Sequence, residues 1–303
     1  MSMFTDNSGK LQPVWAFVFS FVLSALAFLV SGNIATEIVG DRKFYFELIF
    51  RPLWGLLLIG IYFWLLTVGD HVESNRLAAE GLPRSKGWLK HFLIGALIGS
   101  LLTLVAVVPI HFWGHFRTRN LLTLHLVPKI GAVMIILLTG ALAEELMFRG
   151  YPFQRLERGI GSVRTVIVFS LIYGILHLLN PGAGRWGITN TILIGIVLSI
   201  AYLRTRALWL PWGIHFGWNT TLGFLFGLPV SGFRFFNVIR RTYTIGPAWL
   251  TGGNYGVEAS ATGALAILIG ILIVWKLPLQ KLPQTVAVKS TESALANPLS
   301  IKP

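Results

Sequence analysis

Uninterrupted apolar runs separated by short polar segments make up most of the chain. Seven of these runs carry no charged side chain. An eighth apolar segment, residues 129–158, is interrupted by charged side chains. A helix needs about 20 mainly apolar residues to cross the hydrocarbon core of a bilayer. The pattern therefore predicts an all-α polytopic membrane protein, a bundle of about eight transmembrane helices. The seven runs without Lys, Arg, Asp or Glu are residues 14–30, 52–69, 92–116, 165–184, 186–203, 207–233 and 259–275.

The polar segments between these runs predict the orientation of the bundle. With eight spans, both termini lie on the same side, and that side collects fifteen of the 25 Lys and Arg residues. Because cytoplasmic loops carry an excess of Lys and Arg, we expect cytoplasmic termini. If the protein is prokaryotic, the membrane is the plasma (inner) membrane. We expect one transmembrane helical domain over residues 1–276, followed by a disordered tail over residues 277–303.

Composition narrows the class of protein further. Hydrophobic residues make up 54% of the chain and charged residues only 12%, whereas an average soluble domain has about 25% charged residues. The net charge of +13 is not accompanied by a basic module with interleaved aromatics, so we expect membrane lipids and not nucleic acid as partners. The lack of cysteine removes disulfides, thiolate metal sites and cysteine nucleophiles.

Polar side chains inside the predicted spans are the candidates for chemistry, because intramembrane ionisable groups are costly and indicate function by default. Glu145 and Arg149 are four residues apart on one helix and can form an ion pair. Glu144 is rotated by about 100° from Glu145 and needs a different partner. Glu47 and Glu258 lie at span edges, where we expect water to reach them. The full set of candidates is Glu144, Glu145, Arg149, His177, His215 and Asn219.

The hairpin between the fourth and fifth spans indicates a partner for Glu144. A turn at Gly159–Gly161 joins the two spans, Glu144 precedes its middle residue by 16 positions, and His177 follows it by 17. At about 1.5 Å per residue, both side chains lie roughly 25 Å from the turn and so at the same depth. His215 and Asn219 are again four residues apart, on one face of the seventh span. A neighbouring helix that presents this face inward would complete a set of one carboxylate, two imidazoles and one amide.

This set of side chains fits two kinds of hydrolytic chemistry. A carboxylate beside an imidazole can activate water as a general base, and a second imidazole with an amide can stabilise an oxyanion. Alternatively, Glu144, His177 and His215 are candidate ligands of a catalytic zinc or another divalent metal. A metal-bound Glu144 is not free to act as a base, and asparagine is a poor zinc ligand. These considerations slightly favour metal-free, or weakly metal-dependent, hydrolysis and leave the metal open.

Other classes of protein fit the sequence less well. The motifs H-E-x-x-H, G-x-G-D and G-x-S-G are absent, as is a Walker A motif. A non-enzymatic membrane protein, such as an immunity, scaffold or assembly factor, remains an alternative, because His and Asn also form hydrogen bonds between transmembrane helices. An ion-coupled transporter is less favoured, since the sequence has no repeated halves.

Three short motifs resemble those of the CPBP family of intramembrane proteases. This family, also called the ABI family, includes the type II CAAX prenyl proteases. Its motifs E-E-x-x-x-R, F-x-x-x-H and H-x-x-x-N are similar to EELMFR at 144–149, YGILH at 173–177 and HFGWN at 215–219. The likeness covers residues 139–221. Tyr173 stands where the family usually has phenylalanine, and its extra hydroxyl could form a hydrogen bond within the site.

The resemblance implies an intramembrane endopeptidase, a CAAX prenyl protease-like hydrolase whose substrate is a membrane-associated or lipidated peptide. Its catalytic core would come from spans four to seven, at about residues 127–226. Glu144 and His177 would activate the attacking water. His215 and Asn219 would hold the oxyanion or a metal, and family names include metalloprotease. The residues expected to brace this site are Glu145, Arg149 and Tyr173.

Overall fold

The computed structural model describes residues 4–6, 10–70, 72, 75–123 and 126–282. Most of the tail predicted to be disordered, residues 277–303, therefore lies outside the described residues. The described helices are α1 (Pro13–Val39), α2 (Lys43–Val68), α3 (Arg76–Ala79), α4 (Trp88–Trp113), α5 (Val127–Arg149), α6 (Tyr151–Ile160), α7 (Ser162–Leu176), α8 (Arg185–Thr205), α9 (Trp209–Asn219), α10 (Ala248–Thr251) and α11 (Ala261–Lys276). Two short strands, β1 (His115–Asn120) and β2 (Arg240–Ile245), form an antiparallel ribbon.

Six helical segments of the described chain are long and apolar enough to cross a membrane. They are α1, α2, α4, α8, the α5–α6 segment Val127–Ile160, and the α7 segment Ser162–Leu179. The protein is thus an all-α, multi-pass integral membrane protein, and the predicted fold class is confirmed. The seventh and eighth predicted spans form shorter helices, since α9 has 11 residues and α11 has 16. The number of eight spans therefore stays a prediction.

The segment predicted as one fourth span is divided into two helices. Helix α5 ends at Arg149 and α6 begins at Tyr151. Gly150 at the junction lies so close to the carbonyl oxygen of Leu146 that a Cβ atom would not fit there. The connection from Glu144 to His177 is therefore a bent helix pair followed by α7, and not the simple two-helix hairpin that the spacing predicts.

Glycines fix the distance between α4 and α9. Gly95 and Gly99 of α4 lie against the backbone of α9, and Gly213 and Gly217 of α9 lie against the backbone of α4. A Cβ atom at any of these four positions would overlap a backbone carbonyl oxygen of the other helix. Small residues allow such close approach of membrane helices, where van der Waals packing contributes much of the association energy. This contact positions α9, which carries His215.

Helix α5 lies between the two apolar clusters of the bundle. Leu146 and Phe148 pack in a cluster built mainly from α1, α2, α6 and α7. Ile136 and Leu137, about three turns earlier, pack in a second cluster built mainly from α4, α8, α9 and α11. Helix α5 therefore passes from the second cluster into the first between Leu137 and Ala143, and Glu144 follows directly after this change.

The buried carboxylate of Glu80 lies outside the membrane-spanning segments. Glu80 follows α3, is completely buried, and has no hydrogen-bond partner for either carboxylate oxygen within the described residues. Burial raises the pKa of Glu80 from 4.5 to about 9, because removal from water disfavours the charged form. The folded protein then holds this proton more tightly than the unfolded chain does. The stability that Glu80 contributes is complete below about pH 4.5 and is lost as the pH rises to about 9.

We expect the Glu80→Gln variant to lose this pH dependence. In the wild type, each rise of one pH unit between about pH 4.5 and pH 9 should lower the free energy of unfolding by about 1.4 kcal/mol. Melting temperatures of the detergent-solubilised protein between pH 5 and 9 measure the effect, and the variant should melt higher than the wild type at pH 8. The exposed Glu37→Gln change is the control and should keep the wild-type slope. Equal slopes for wild type and Glu80→Gln would show that burial does not raise the pKa of Glu80.

Candidate active site

Two adjacent carboxylates leave the last turns of α5 in different directions, as the 100° rotation between successive helix positions requires. Glu145 is fully buried, whereas the Glu144 side chain is 18% exposed and lines an internal cavity. The two glutamates therefore have different surroundings, although they are neighbours in sequence.

Glu145 is the centre of a buried polar network that joins three helices. Arg149 Nη1 lies 3.4 Å from the Glu145 carboxylate, and both side chains are fully buried. Arg149 Nη2 donates a hydrogen bond of 3.1 Å to the carbonyl oxygen of Gly195 in α8. The Nδ1 atom of His215 in α9 lies 2.9 Å from Glu145 Oε1. The ion pair indicated by the helical spacing is thus present, and it also contacts α8 and α9.

The Glu145 contact determines how His215 faces the site. An ionised carboxylate only accepts hydrogen bonds, so His215 Nδ1 carries the proton that it donates to Glu145. The other ring nitrogen, Nε2, then points towards Glu144, with 3.8 Å between Nε2 and Glu144 Oε2. His215 thereby connects the buried Glu145 with the cavity-facing Glu144.

Glu144 has two close partners that come from other helices. Its Oε1 accepts a hydrogen bond of 2.9 Å from Arg51 Nη1 in α2, and its Oε2 accepts one of 3.2 Å from the Tyr173 hydroxyl in α7. Arg51 Nε in turn donates to Glu47 Oε2 at 2.7 Å. Gly140 gives the arginine room, because a Cβ atom there would lie only 3.1 Å from Arg51 Cδ.

His177 faces the same cavity from the end of α7. The helix ends at Leu176, and His177 begins a single 3-10 turn, His177–Leu179, before the Pro181-Gly182 pair. His177 Nδ1 lies 2.7 Å from the carbonyl oxygen of Tyr173, so the ring donates its Nδ1 proton to that carbonyl. The Nε2 atom of His177 is then left to interact with a ligand.

Asn219 is the last residue of α9 and also lines the cavity. After Asn219 the chain enters a π-helical turn, Thr220–Leu225, a conformation that is often found at functional sites. In the described part of the chain, the side-chain amide of Asn219 makes no hydrogen bond. It is therefore available to a bound molecule.

The cavity that these side chains share has a volume of about 520 Å³. Glu144, His177, His215 and Asn219 all line it, together with many apolar side chains from α1 and α2 such as Phe28. Ligand sites are typically apolar cavities with a few polar groups that fix orientation. The arrangement suits a ligand that is mainly apolar and has one polar group to be bound or cleaved.

Glu258 forms a second polar wall of the cavity, and the prediction that water reaches it is wrong. The residue is only 3% exposed. Its carboxylate accepts hydrogen bonds from Trp218 Nε1, at 3.0 Å, and from the backbone N–H of Ser231. Asn190 Nδ2 donates to the carbonyl oxygen of Glu258 at 2.8 Å and so fixes this part of the chain against α8.

Sequence reasoning also missed Arg51 as a residue of the site. Arg51 lies just before the charge-free run 52–69, so a search for charges inside the runs passes over it. The available signal was the spacing of Glu47 and Arg51, which are four residues apart at the start of an apolar helix. Nothing in the sequence indicates that Arg51 reaches Glu144, which is 93 residues away in the chain.

The candidate metal ligands Glu144, His177 and His215 do not form a metal-binding set. Among the described residues, no three His, Cys, Asp or Glu side chains are grouped so as to hold a metal ion. Glu144 already binds a guanidinium and a hydroxyl. The described residues therefore do not support the name metalloprotease, and we derive no step through a metal.

Comparison with known protein families supports the resemblance drawn from the motifs. Residues 126–221 match the family model described as type II CAAX prenyl endopeptidase Rce1-like. The match supports the family suspected from the motifs and suggests an intramembrane protease of the CAAX type. Comparison with curated proteins and with solved structures gives no match. Glu47, Arg51 and Glu258 lie outside the matched segment.

We expect Arg51→Gln to destabilise the protein, because it leaves two carboxylates in the bundle without their cation. Breaking such a pair costs about 3 kcal/mol when the remaining charge stays largely buried. Lys43→Gln is the matched control, since Lys43 is exposed near the start of the same helix. Melting temperatures in detergent should fall for Arg51→Gln and stay at the wild-type value for Lys43→Gln. The same melting temperature for both variants would mean that Arg51 does not bind Glu144.

Proposed function

We propose that the protein is an intramembrane endopeptidase that hydrolyses a peptide bond of a membrane-associated or lipidated peptide. The observation that carries this proposal is the arrangement of Glu144, His177, His215 and Asn219 around one largely apolar cavity. The match of residues 126–221 to the Rce1-like family model supports the same activity.

In the proposed mechanism, Glu144 and His177 activate the attacking water. No hydrogen bond joins these two side chains within the described residues, so a water molecule between them is the bridge that we propose. His177 Nδ1 is held by the Tyr173 carbonyl, which leaves Nε2 for the water. Glu144 takes one water proton as the water oxygen attacks the carbonyl carbon, which is general base catalysis.

Arg51 and Tyr173 would prepare Glu144 for this role. A carboxylate in a low-dielectric cavity tends to take up a proton unless a cation and hydrogen-bond donors favour its ionised form. The 2.9 Å contact with Arg51 and the 3.2 Å contact with the Tyr173 hydroxyl provide both. They also fix the direction in which the carboxylate faces the water. Tyr173 stands in place of the phenylalanine usual in the family. It keeps the aromatic ring and adds the hydrogen bond from its hydroxyl to Glu144.

The opposite side of the reacting carbonyl would be held by His215 and Asn219. Asn219 has a free amide that can donate to the developing oxyanion. His215 Nε2 can donate as well if the ring carries protons on both nitrogens, and the Glu145 contact with Nδ1 stabilises that charged form. Fixed donors aimed at the developing negative charge are usually the largest single contribution to such catalysis.

The reaction would end with return of the proton. When the tetrahedral intermediate collapses, the C–N bond breaks and the amine leaves. Glu144 gives the proton it took from water to the leaving nitrogen, so that Glu144 is again ionised and no proton is gained or lost. Glu145 and Arg149 do not contact the substrate in this scheme, and they hold His215 in place.

We also propose an orientation with cytoplasmic termini, in the plasma membrane if the protein is prokaryotic. The support is the distribution of fifteen of 25 Lys and Arg residues on the side of the termini.

The Glu144→Gln variant tests the proposed activity and does not require an identified substrate. Wild type, Glu144→Gln and the exposed control Glu37→Gln are expressed to equal levels in membranes, and the new peptide termini in the membrane proteome are compared. We expect the same new termini with wild type and Glu37→Gln. They should fall at least about 100-fold with Glu144→Gln, since a general base typically contributes 10²–10⁴-fold.

Two outcomes would count against the proposal. New termini that persist with Glu144→Gln would exclude the general-base role of Glu144. Profiles that do not differ between wild type and membranes without the protein would favour a non-enzymatic membrane protein, in which the polar cluster serves stability alone.

A further inference from the structure

The β-ribbon carries a cationic face that the proposed peptidase activity does not use. Strands β1 and β2 pair so that Arg117 lies opposite Tyr243 and Arg119 lies opposite Arg241. Because side chains alternate across a strand, these four residues share one face. On the other face Thr242 is buried, and its hydroxyl lies 3.1 Å from that of Thr118. We refer to the face with Arg117, Arg119, Arg241 and Tyr243 as the outer face of the ribbon.

No acidic residue balances the outer face in the sequence around it. The chain has no Asp or Glu at residues 81–143 or 158–257. Arg117, Arg119 and Arg241 are exposed, and within the described residues their guanidinium groups make no ion pair and no hydrogen bond. Like charges directly opposite each other destabilise an antiparallel pair. The Arg119–Arg241 pair is therefore unfavourable by itself and would become favourable with an anion between the two guanidinium groups.

The position of the ribbon places this face beside the membrane surface. Strand β1 begins two residues after the end of α4, whose last residues Phe112 and Trp113 are 72% and 73% exposed. Trp249, which follows β2, is 62% exposed. Exposed aromatic residues at the ends of membrane helices are typical of the interface, where the rings lie at the level of the lipid headgroups. The arginines next to them are then within reach of lipid phosphates.

We propose that the outer face of the β-ribbon binds the phosphate group of an anionic phospholipid, with Arg119 and Arg241 as the central pair and Arg117 beside them. Residues directly opposite in an antiparallel pair have Cβ atoms about 5 Å apart, so two guanidinium groups can hold one phosphate from both sides. Arginine suits this role because its planar fork of N–H donors matches phosphate oxygens in pairs.

Two further contacts prepare the ribbon for such binding. Arg234 stacks on the ring of Tyr243, with 4.8 Å from its guanidinium carbon to the ring centroid. It also donates a hydrogen bond of 3.1 Å to the carbonyl oxygen of Thr242. Arg234 thus fixes β2 and adds positive charge beside the outer face. A bound headgroup would hold the end of α4, the helix whose glycines pack against α9.

The test uses the purified full chain in detergent micelles with added phosphatidylglycerol, phosphatidylcholine or inorganic phosphate. We expect phosphatidylglycerol to raise the melting temperature of the wild type more than the other two additives. In the double variant Arg119→Gln/Arg241→Gln, most of this increase should disappear, and the lipid dissociation constant should rise about tenfold or more. The double variant Arg84→Gln/Lys86→Gln removes two exposed charges before α4, at its other end, and should behave like the wild type.

Three results would overturn the proposal. The first is an equal effect of phosphatidylglycerol on wild type and Arg119→Gln/Arg241→Gln. The second is an equal effect of phosphatidylcholine and phosphatidylglycerol on the wild type. The third is a full effect of inorganic phosphate, which would indicate a site for free anions and not for a lipid headgroup. If the double variant does not fold, the single variant Arg117→Gln takes its place. Native mass spectrometry then measures how much lipid the variant retains, and retention equal to that of the wild type would overturn the proposal.

Discussion

The buried ion pair between Glu145 and Arg149 is the interaction on which the rest of the site depends. Both side chains are fully buried, and an unpaired charge in such a place costs several kcal/mol. Arg149 also binds the carbonyl oxygen of Gly195, and Glu145 accepts the Nδ1 proton of His215. The pair therefore fixes α5, α8 and α9 at one depth in the bundle. The direction of His215 Nε2 towards Glu144 follows from this arrangement.

Features within a single helix could be predicted from the sequence. The lengths of the apolar runs indicated an all-α membrane protein, because the bilayer sets how many apolar residues a helix needs. The spacing of Glu145 and Arg149 indicated their ion pair, because residues four apart share a helix face. The rotation between Glu144 and Glu145 likewise predicted that the two carboxylates face different surroundings. These inferences need only the geometry of one helix, which the sequence defines directly.

Features that depend on contacts between distant segments could not be predicted. Arg51 reaches Glu144 from α2, 93 residues earlier in the chain, and no local pattern reports such a contact. Glu258 is buried because Trp218 and the backbone of Ser231 come to its carboxylate. The metal-ligand hypothesis for Glu144, His177 and His215 is not supported among the described residues, and the contacts of Glu144 with Arg51 and Tyr173 are known only from the fold.

The most direct measurement compares the single variant Arg149→Met with the double variant Glu145→Gln/Arg149→Met. We predict that Arg149→Met lowers the yield of folded protein, because Glu145 stays buried without its cation. The double variant should recover folded yield and melting temperature, because no charge is then left unpaired. It should not recover hydrolysis, because a neutral amide at position 145 cannot stabilise a charged His215 as the carboxylate does. Wild-type yield for Arg149→Met, or full hydrolysis by the double variant, would contradict the central role of this ion pair.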